Sequence, residues 1–507
     1  MNHNCTKRNE TPRQKPELLA PAGGIAQLKT AIAYGADAVY LAADKFGMRA
    51  RADNFSLAEA CNAIEYAHER SVSVYITINI LMNDSEISHL RDYCKTLANA
   101  GADAFIVSDM GALATAKEAA PDCDIHISTQ ASIMNAAAAR MWHSLGATRI
   151  VCAREMSLRS IAELRKNIPE SLEIEAFVHG AMCMAYSGRC LLSSAMTGRS
   201  ANKGACAQSC RWNYALVEEK RPGEYFPVEE DASGTYIMNA EDLCMIDHLQ
   251  ELRDAGVSSL KIEGRNKRSF YVASVVGAYR RVLDGGSLER AHDDLRAISH
   301  RPYGTGFYFG RPNQTTHADG YIKDALHVAD FMECEPCTCD NAEGGASGEV
   351  RDVGHERSAS ASGASANGGS ASCASDASTS NASETSTNTE TYRITVLCRN
   401  RFFDGDTLEV IAPGCDSFPI SISNVHLLVP REGKIPFVEQ NVTYEQVKQS
   451  SIPQRVSVAN RAGEYYQFTC LKPLPAHSFI RRRIDAPLPA AYADCRSNTR
   501  RGAISTD

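Results

Sequence analysis

Between residues 17 and 264 apolar and polar positions recur in one order: a stretch with apolar residues at helical spacing, a glycine, then a short β-branched or aromatic run. The unit reads Gly35-Ala-Asp-Ala-Val-Tyr-Leu41, Gly101-Ala-Asp-Ala-Phe-Ile-Val107, Gly146-Ala-Thr-Arg-Ile-Val151 and Gly256-Val-Ser-Ser-Leu-Lys-Ile262. A glycine in that place ends a helix by taking the left-handed conformation, and a short run without polar alternation suits a strand buried on both faces. The candidate strands are Glu17–Ala22, Ala38–Ala42, Val74–Asn79, Ala104–Asp109, Asp124–Gln130, Arg149–Glu155, Leu172–Gly180 and Ser259–Gly264, with Thr235–Asn239 as a ninth. Eight buried strands with helices between them predict an α/β fold, a (β/α)8 TIM-like barrel over residues 16–326.

From Tyr392 the period changes to two, in Tyr392–Leu397, Asp406–Ile411, Phe418–Ile422, Pro453–Val458 and Tyr465–Cys470. Alternation broken by Gly, Pro and Asp predicts a small C-terminal β-barrel domain over 327–480, with His327–Glu333 as its first strand. Residues 341–389 are dominated by Ser, Ala, Gly, Thr and Asn, with almost no large apolar residues. That composition buries too little apolar surface to offset the entropy of ordering, so a disordered insertion inside the domain is expected. Residues 1–15 are expected to be disordered, and 481–507 to form a mobile basic tail.

The barrel reading brings a second pattern into view. The strands end in polar groups: Asn79, Ser108-Asp109, Thr129-Gln130, Arg154-Glu155, His179-Gly180 and Glu263-Gly-Arg265. Barrel sites form at these C-terminal ends, where side chains from several strands meet in one mouth. Each group also has a structural explanation. Asp109 and Asn79 suit helix caps, and Arg154 with Glu155 suits an ion pair. His179 suits a proton donor, a partner to a metal centre or a satisfied core group. Glu263 and Arg265, on either side of a glycine, suit either a clamp for a carboxylate or phosphate or a strand-end ion pair.

Directly after the seventh strand come Cys183, Cys190, Cys206 and Cys210, spaced C-x6-C-x15-C-x3-C among Gly, Ser, Arg and Asn. Flexible loops of this kind let four thiolates converge on one soft metal centre, either a 4Fe-4S cluster or a structural zinc, although zinc sites usually bring tight C-x2-C pairs. Two disulfides would need an oxidising compartment, whereas the chain opens without an apolar signal segment and reads as cytoplasmic. Cys334-Glu-Pro-Cys-Thr-Cys339 suits either a second metal site or an incidental cluster.

Composition narrows the partners. With 507 residues the chain is expected to form two or more domains, and no apolar run is long enough for a membrane span. A net charge of −8 gives no overall attraction to nucleic acid. Any such contact would be local, at Arg265-Asn-Lys-Arg268, Arg280-Arg281 or Arg481-Arg-Arg483.

The run Glu175-Ala-Phe-Val-His-Gly-Ala-Met-Cys-Met-Ala-Tyr-Ser-Gly-Arg-Cys190 closely resembles the signature of the collagenase-like U-thirty-two peptidase family. Pro21-Ala-Gly23, Asn239-Ala-Glu-Asp242 and Lys261-Ile-Glu-Gly-Arg265 fit the same family, and Arg399–Glu409 looks like its C-terminal β-barrel. Arg221–Tyr225 and Gly234–Asn239 look most like its tRNA hydroxylation protein P branch. The resemblance implies oxygen-independent conversion of a tRNA wobble uridine to 5-hydroxyuridine, with prephenate as a small carboxylate donor of the hydroxyl group. It also implies a 4Fe-4S cluster on Cys183, Cys190, Cys206 and Cys210, with Cys244 as a substitute ligand. On that reading Arg154, Arg265 and Lys261 hold the donor's carboxylates, and His179, Glu155 and Glu263 move protons. The partners would be tRNA, held in part by the C-terminal domain and the tail, and a redox partner protein. The alternatives are a hydroxylase of another RNA base and a collagenase-like peptidase. No Gly-x-Ser-x-Gly elbow or His-Glu-x-x-His helix supports the peptidase reading.

Overall fold

The computed structural model describes residues 15–47, 54–183, 186–212, 215–216, 226–227, 241–310, 321–337, 390–431, 436–437 and 442–484. The ninth strand candidate, the two short runs that resemble the tRNA branch, Cys339, the insertion and the chain beyond 484 lie outside these residues.

Seven parallel strands follow one another: β1 (Glu17–Pro21), β2 (Ala38–Leu41), β3 (Ser73–Ile78), β4 (Ala104–Val107), β5 (Asp124–Ile127), β6 (Arg149–Val151) and β7 (Glu173–Ala181). A short strand, β8 (Asp242–Cys244), intervenes before β9 (Ser259–Ile262) completes the barrel. β9 pairs in parallel with both β1 and β7, through Glu17↔Ser259 and Glu175↔Ser259, so the eight-stranded parallel sheet closes. β8 runs antiparallel to the end of β7, with Asp242 opposite Ala181 and Cys244 opposite His179, and carries β10 (Tyr303–Gly304) on its other edge.

The Gly-Ala-Asp unit works as a corner. Gly35, Gly101, Gly146 and Gly256 all have φ between 92° and 98°, which a side chain would oppose. The aspartate adds a second device. Asp37 accepts the amide of Leu18 at 2.8 Å and Asp103 that of Val74 at 2.7 Å, so each ties its own strand to the start of its neighbour. The barrel floor is ionic. Arg149, 5% exposed, donates to Glu17 at 2.7 Å and Glu173 at 2.7 Å, and Lys261 donates to the fully buried Glu175 at 2.6 Å. In a low-dielectric axis these charges persist only because each has a partner.

The C-terminal domain is an antiparallel eight-stranded sheet curled round its own core of Val328, Val396, Phe402, Val410, Phe468 and neighbours. Its first two strands, β11 (Ala325–Cys337) and β12 (Thr391–Cys398), pair to their ends, with Cys337 opposite Thr391. The insertion therefore departs from and returns to one point of the sheet. Among its later strands are β13 (Thr407–Ile411) and β14 (Phe479–Arg483), which pair with each other, and β14 also pairs with β11. β14 corrects the expectation of a basic tail from 481. Arg481 is fully buried, 2.7 Å from Glu409 and 2.9 Å from Asp294 of the barrel domain, and Arg483 bonds Glu409 at 2.8 Å. These arginines join the domains rather than facing RNA. The hydroxyl of Tyr34 completes the junction by donating to the carbonyls of Ile411 and His477, both at 3.1 Å.

Candidate functional site

Two cavities meet at the C-terminal ends of the barrel strands. The inner one, of about 50 Å³, is lined by Tyr40, Asn79, Ser128, Lys261, Arg265 and their neighbours. The outer one, of about 470 Å³, is lined by Cys183, Cys190, Cys206 and Cys210 together with Asp242, Lys267 and Tyr321. Gln130, Arg154 and Glu263 line both, so the strand ends and the cysteine stretch share one mouth.

The cysteine stretch is fixed to the barrel by a carboxylate. Glu155 accepts the backbone amide of Ser187 at 3.0 Å, the Ser187 hydroxyl lies 3.3 Å from that of Thr129, and Ser132 donates to the Ser187 carbonyl. Gly188 packs so closely on this turn that a Cβ would stand 2.1 Å from the carbonyl oxygen of Gln130. Further on, Ser193 accepts the amide of Ala207 at 2.9 Å and donates to Arg199 O at 2.7 Å, cross-linking the second half of the loop. Glu155 thus appears among the loop's anchors and not among the cavity-lining residues expected to move protons.

None of the four cysteines is joined in a disulfide. Cys183 is exposed and the other three are half-buried, and the amide of Gln208 donates to the Cys206 sulfur at 3.3 Å. Four sulfurs facing one cavity, one already accepting an N–H, fit a soft thiolate-bound centre in the chemistry of their donors. Among the described residues no three Cys, His, Asp or Glu side chains are drawn together as a metal-binding group. Cys244, the substitute ligand considered, faces neither cavity. It lies in the core beside Tyr279, and burial pushes its thiol up to about 12. Cys334 and Cys337 lie on β11, with the Cys337 sulfur against Thr391.

The strand-end charges pair across the barrel rather than along the chain. Arg154 meets Glu263 at 3.5 Å, both side chains largely buried, and stacks its guanidinium 4.4 Å from the Phe177 ring centre; it does not pair with Glu155. Arg265, 4% exposed, donates to Thr77 at 3.2 Å. Lys261 faces the inner cavity while held by Glu175, with its ammonium 4.4 Å from the Tyr40 ring centre. Asn79 donates to Ser128 at 3.1 Å at this mouth, and the following helix is capped by Asn83 instead. Asp109 is a cap, accepting from Ala112 at 3.0 Å.

His179 lies elsewhere. It is 1% exposed and surrounded by Tyr303, Tyr279 and Tyr271, with ring centres 5.3, 5.6 and 6.1 Å away, and it lines neither cavity. Burial pushes its pKa down to about 3, against a partial pull upward from Asp242. The expected proton donor is therefore a neutral core group at physiological pH. Sequence reasoning missed Asp242, which lines the outer cavity and is gripped by the buried Arg301 at 2.7 and 3.0 Å; despite burial, that arginine holds the carboxyl below its usual range. Its signal was the acidic pair that closes Asn239-Ala-Glu-Asp242. It also missed Tyr321, while Lys267 stood within the Arg265-Asn-Lys-Arg268 patch named for local nucleic-acid contact; only the fold brings both to the rim.

The Peptidase family U32 model matches residues 23–318. The chain is 40% identical over 308 residues to tRNA hydroxylation protein P1 of Bacillus subtilis, an alignment covering 59% of this chain and 72% of that one. It is 38% identical over 285 residues to the 23S rRNA 5-hydroxycytidine C2501 synthase of Escherichia coli, covering 56% and 42%, and 34% identical over 323 residues to a collagenase of Porphyromonas gingivalis, covering 60% and 76%. With more than half its length matched to that model, around a barrel mouth that carries the cysteine stretch, the chain belongs to Peptidase family U32.

Proposed function

We propose that this chain is a cytoplasmic RNA-modifying enzyme that hydroxylates a tRNA wobble uridine at C5 without molecular oxygen. The observation that carries the reading is the shared mouth, where four cysteines line a cavity that meets a chamber lined by Arg154, Arg265 and Lys261. The names of the tRNA- and rRNA-modifying relatives support the same class of reaction.

Replacing C5–H by C5–OH is a two-electron oxidation of the base, so a donor that gives up a hydroxyl group must accept those electrons. A single carboxylate of prephenate suits the inner cavity of about 50 Å³, with the rest of the donor in the outer one: Arg154 and Arg265 present planar donor forks, and Lys261 adds a point charge at the floor. Glu263, in contact with Arg154, would accept the proton leaving the base. Cys183, Cys190, Cys206 and Cys210 would hold a 4Fe-4S cluster, which would supply one-electron chemistry. The low exposure of Arg154 and Glu263 keeps bulk water from competing for these charges. Because the donor takes both electrons of each turnover, a redox partner protein would serve only to set the cluster's resting oxidation state.

The peptidase reading is supported by the names of two relatives, a collagenase and an uncharacterized protease. Peptide cleavage needs an activated nucleophile, and among the described residues no histidine lines either cavity. Nucleoside mass spectrometry of total tRNA from a deletion strain is the test. 5-Hydroxyuridine should vanish, return with the wild-type chain, and stay absent with Cys206→Ser, whose anaerobically purified protein should lose iron. An unchanged modified base in the deletion strain would overturn the hydroxylase reading, and gelatin cleavage by the same preparation would replace it.

A further inference from the structure

Two large aromatic side chains stand open to solvent on the lining of the outer cavity: Tyr186 at 59% and Tyr321 at 58% exposed. Tyr186 belongs to the cysteine loop. Tyr321 stands beside the turn after β9, where the Lys267 ammonium lies 5.9 Å from its ring centre and 5.0 Å from that of Tyr271. Two open rings lining one concavity offer flat apolar faces with polar tips to whatever enters it.

The rest of the lining says what that is. Its two carboxylates are already engaged, Asp242 by Arg301 and Glu263 by Arg154, while Lys267 has no salt bridge among the described residues. The charge offered to a ligand is therefore positive. The polar lining is rich in carboxamides, with Gln130, Asn202, Gln208 and Asn266 facing the space. A carboxamide both donates and accepts, which is what the O4, N3–H and O2 edge of uracil requires. The cavity volume, about 470 Å³, falls within the ~300–1,000 Å³ typical of small-ligand sites, too small for a duplex. Flat faces, a cation and amide groups in one recess are the features by which a single unstacked base is held.

We infer that Tyr186 and Tyr321 form a stacking clamp that takes the target base after it has swung out of its RNA strand, with Lys267 meeting the adjoining phosphate. The inference rests on the RNA-modifying reading and adds where the base sits and which side chains position it. The tyrosines are positioning residues: they grip the faces of the base and leave its C5 edge free toward the cysteine side of the cavity.

The test uses the full chain, purified without air, and an anticodon stem-loop with 2-aminopurine at the target position. Wild type should bind and quench the reporter by stacking. Tyr186→Ala and Tyr321→Ala should each weaken binding about tenfold and lose the quench, and the Phe variants should recover both. An independent arm leaves the protein unaltered: removing the target base from the RNA should cost wild type about tenfold and leave nothing further for the Ala variants to lose. Equal affinity and quench in the Ala variants, or indifference of wild type to the abasic RNA, overturns the clamp. So does tyrosine-dependent binding of a gelatin peptide with no reporter quench. The two readings fail separately. A deletion strain that keeps its 5-hydroxyuridine while base-dependent quenching persists removes the hydroxylase and leaves the clamp; loss of the modified base with no abasic penalty does the reverse.

Discussion

An imidazole enclosed by Tyr271, Tyr279 and Tyr303 has no water to solvate its cation, which is why His179 is held at about 3. Its folded pKa lies below the unfolded value of ~6.5, so the unfolded chain takes up the proton first. Its contribution to stability is complete above about pH 6.5 and is lost as pH falls from there toward 3. The ring's nitrogen shifts in a labelled sample should stay those of neutral imidazole from pH 8 to 5; a midpoint near 6.5 would place it in contact with water. Glu155 gives the complementary case, a charged side chain whose task is anchoring. Glu155→Ala frees the Ser187 amide and should cost ~1–3 kcal/mol locally by leaving a donor unsatisfied. Iron per chain after anaerobic purification should fall while the far-ultraviolet circular dichroism stays unchanged. Full iron content would mean that the cysteine loop holds its shape without this tie.

At the scale of elements, repetition and ion pairing divide the work. The Gly-Ala-Asp corner was legible as glycine and strand because φ above 90° selects glycine and because apolar runs declare burial. The aspartate's bond to the neighbouring strand was not legible, since its partner amides, Leu18 and Val74, lie far off in sequence. The same holds for β14: a run of three arginines looks solvated until Glu409, Asp293 and Asp294 are brought against it. Burial pushes the Glu409 carboxyl up, but Arg481 and Arg483 outweigh it and hold it at about 2. A depressed carboxylate contributes stability above its unfolded pKa of ~4.5 and loses it as pH falls toward 2. Urea unfolding of wild type should therefore show a steep loss between pH 5 and 2.5, and Glu409→Gln should flatten it while lowering stability at pH 7 by ~3–5 kcal/mol, because Arg481 loses a buried partner. Parallel curves for the two proteins would assign the acid sensitivity to another pair.

For the whole molecule, the insertion tests how far the domains depend on chain continuity. Because Cys337 and Thr391 are already opposite one another, replacing residues 341–389 with a short turn asks the sheet for no new geometry. Loop-closure entropy grows by only ~0.6 kcal/mol per doubling of length, so the shortened chain should be more stable by ~1–2 kcal/mol and retain wild-type tRNA modification. A lower Tm, or modification lost at full stability, would give the tract a folding or RNA-handling role. Salt belongs to this scale too. With Arg481 and Arg483 engaged between domains, RNA bound on the proposed reading would draw on other cations, and its affinity should fall steeply with added salt in filter-binding titrations.

The chain by itself determined what depends on neighbours in sequence: helix ends at glycines, buried strands, their number, and the placement of four cysteines just beyond the seventh. Those features are local, so periodicity and spacing record them. Tertiary structure alone decided the partners. It paired Arg154 with Glu263 instead of Glu155, turned His179 into a core group, gave Glu155 to Ser187, and set Tyr321 and Lys267 beside the cysteine-lined cavity. Pairings between residues tens to hundreds of positions apart depend on how the closed sheet curves, and no stretch of sequence contains that curvature.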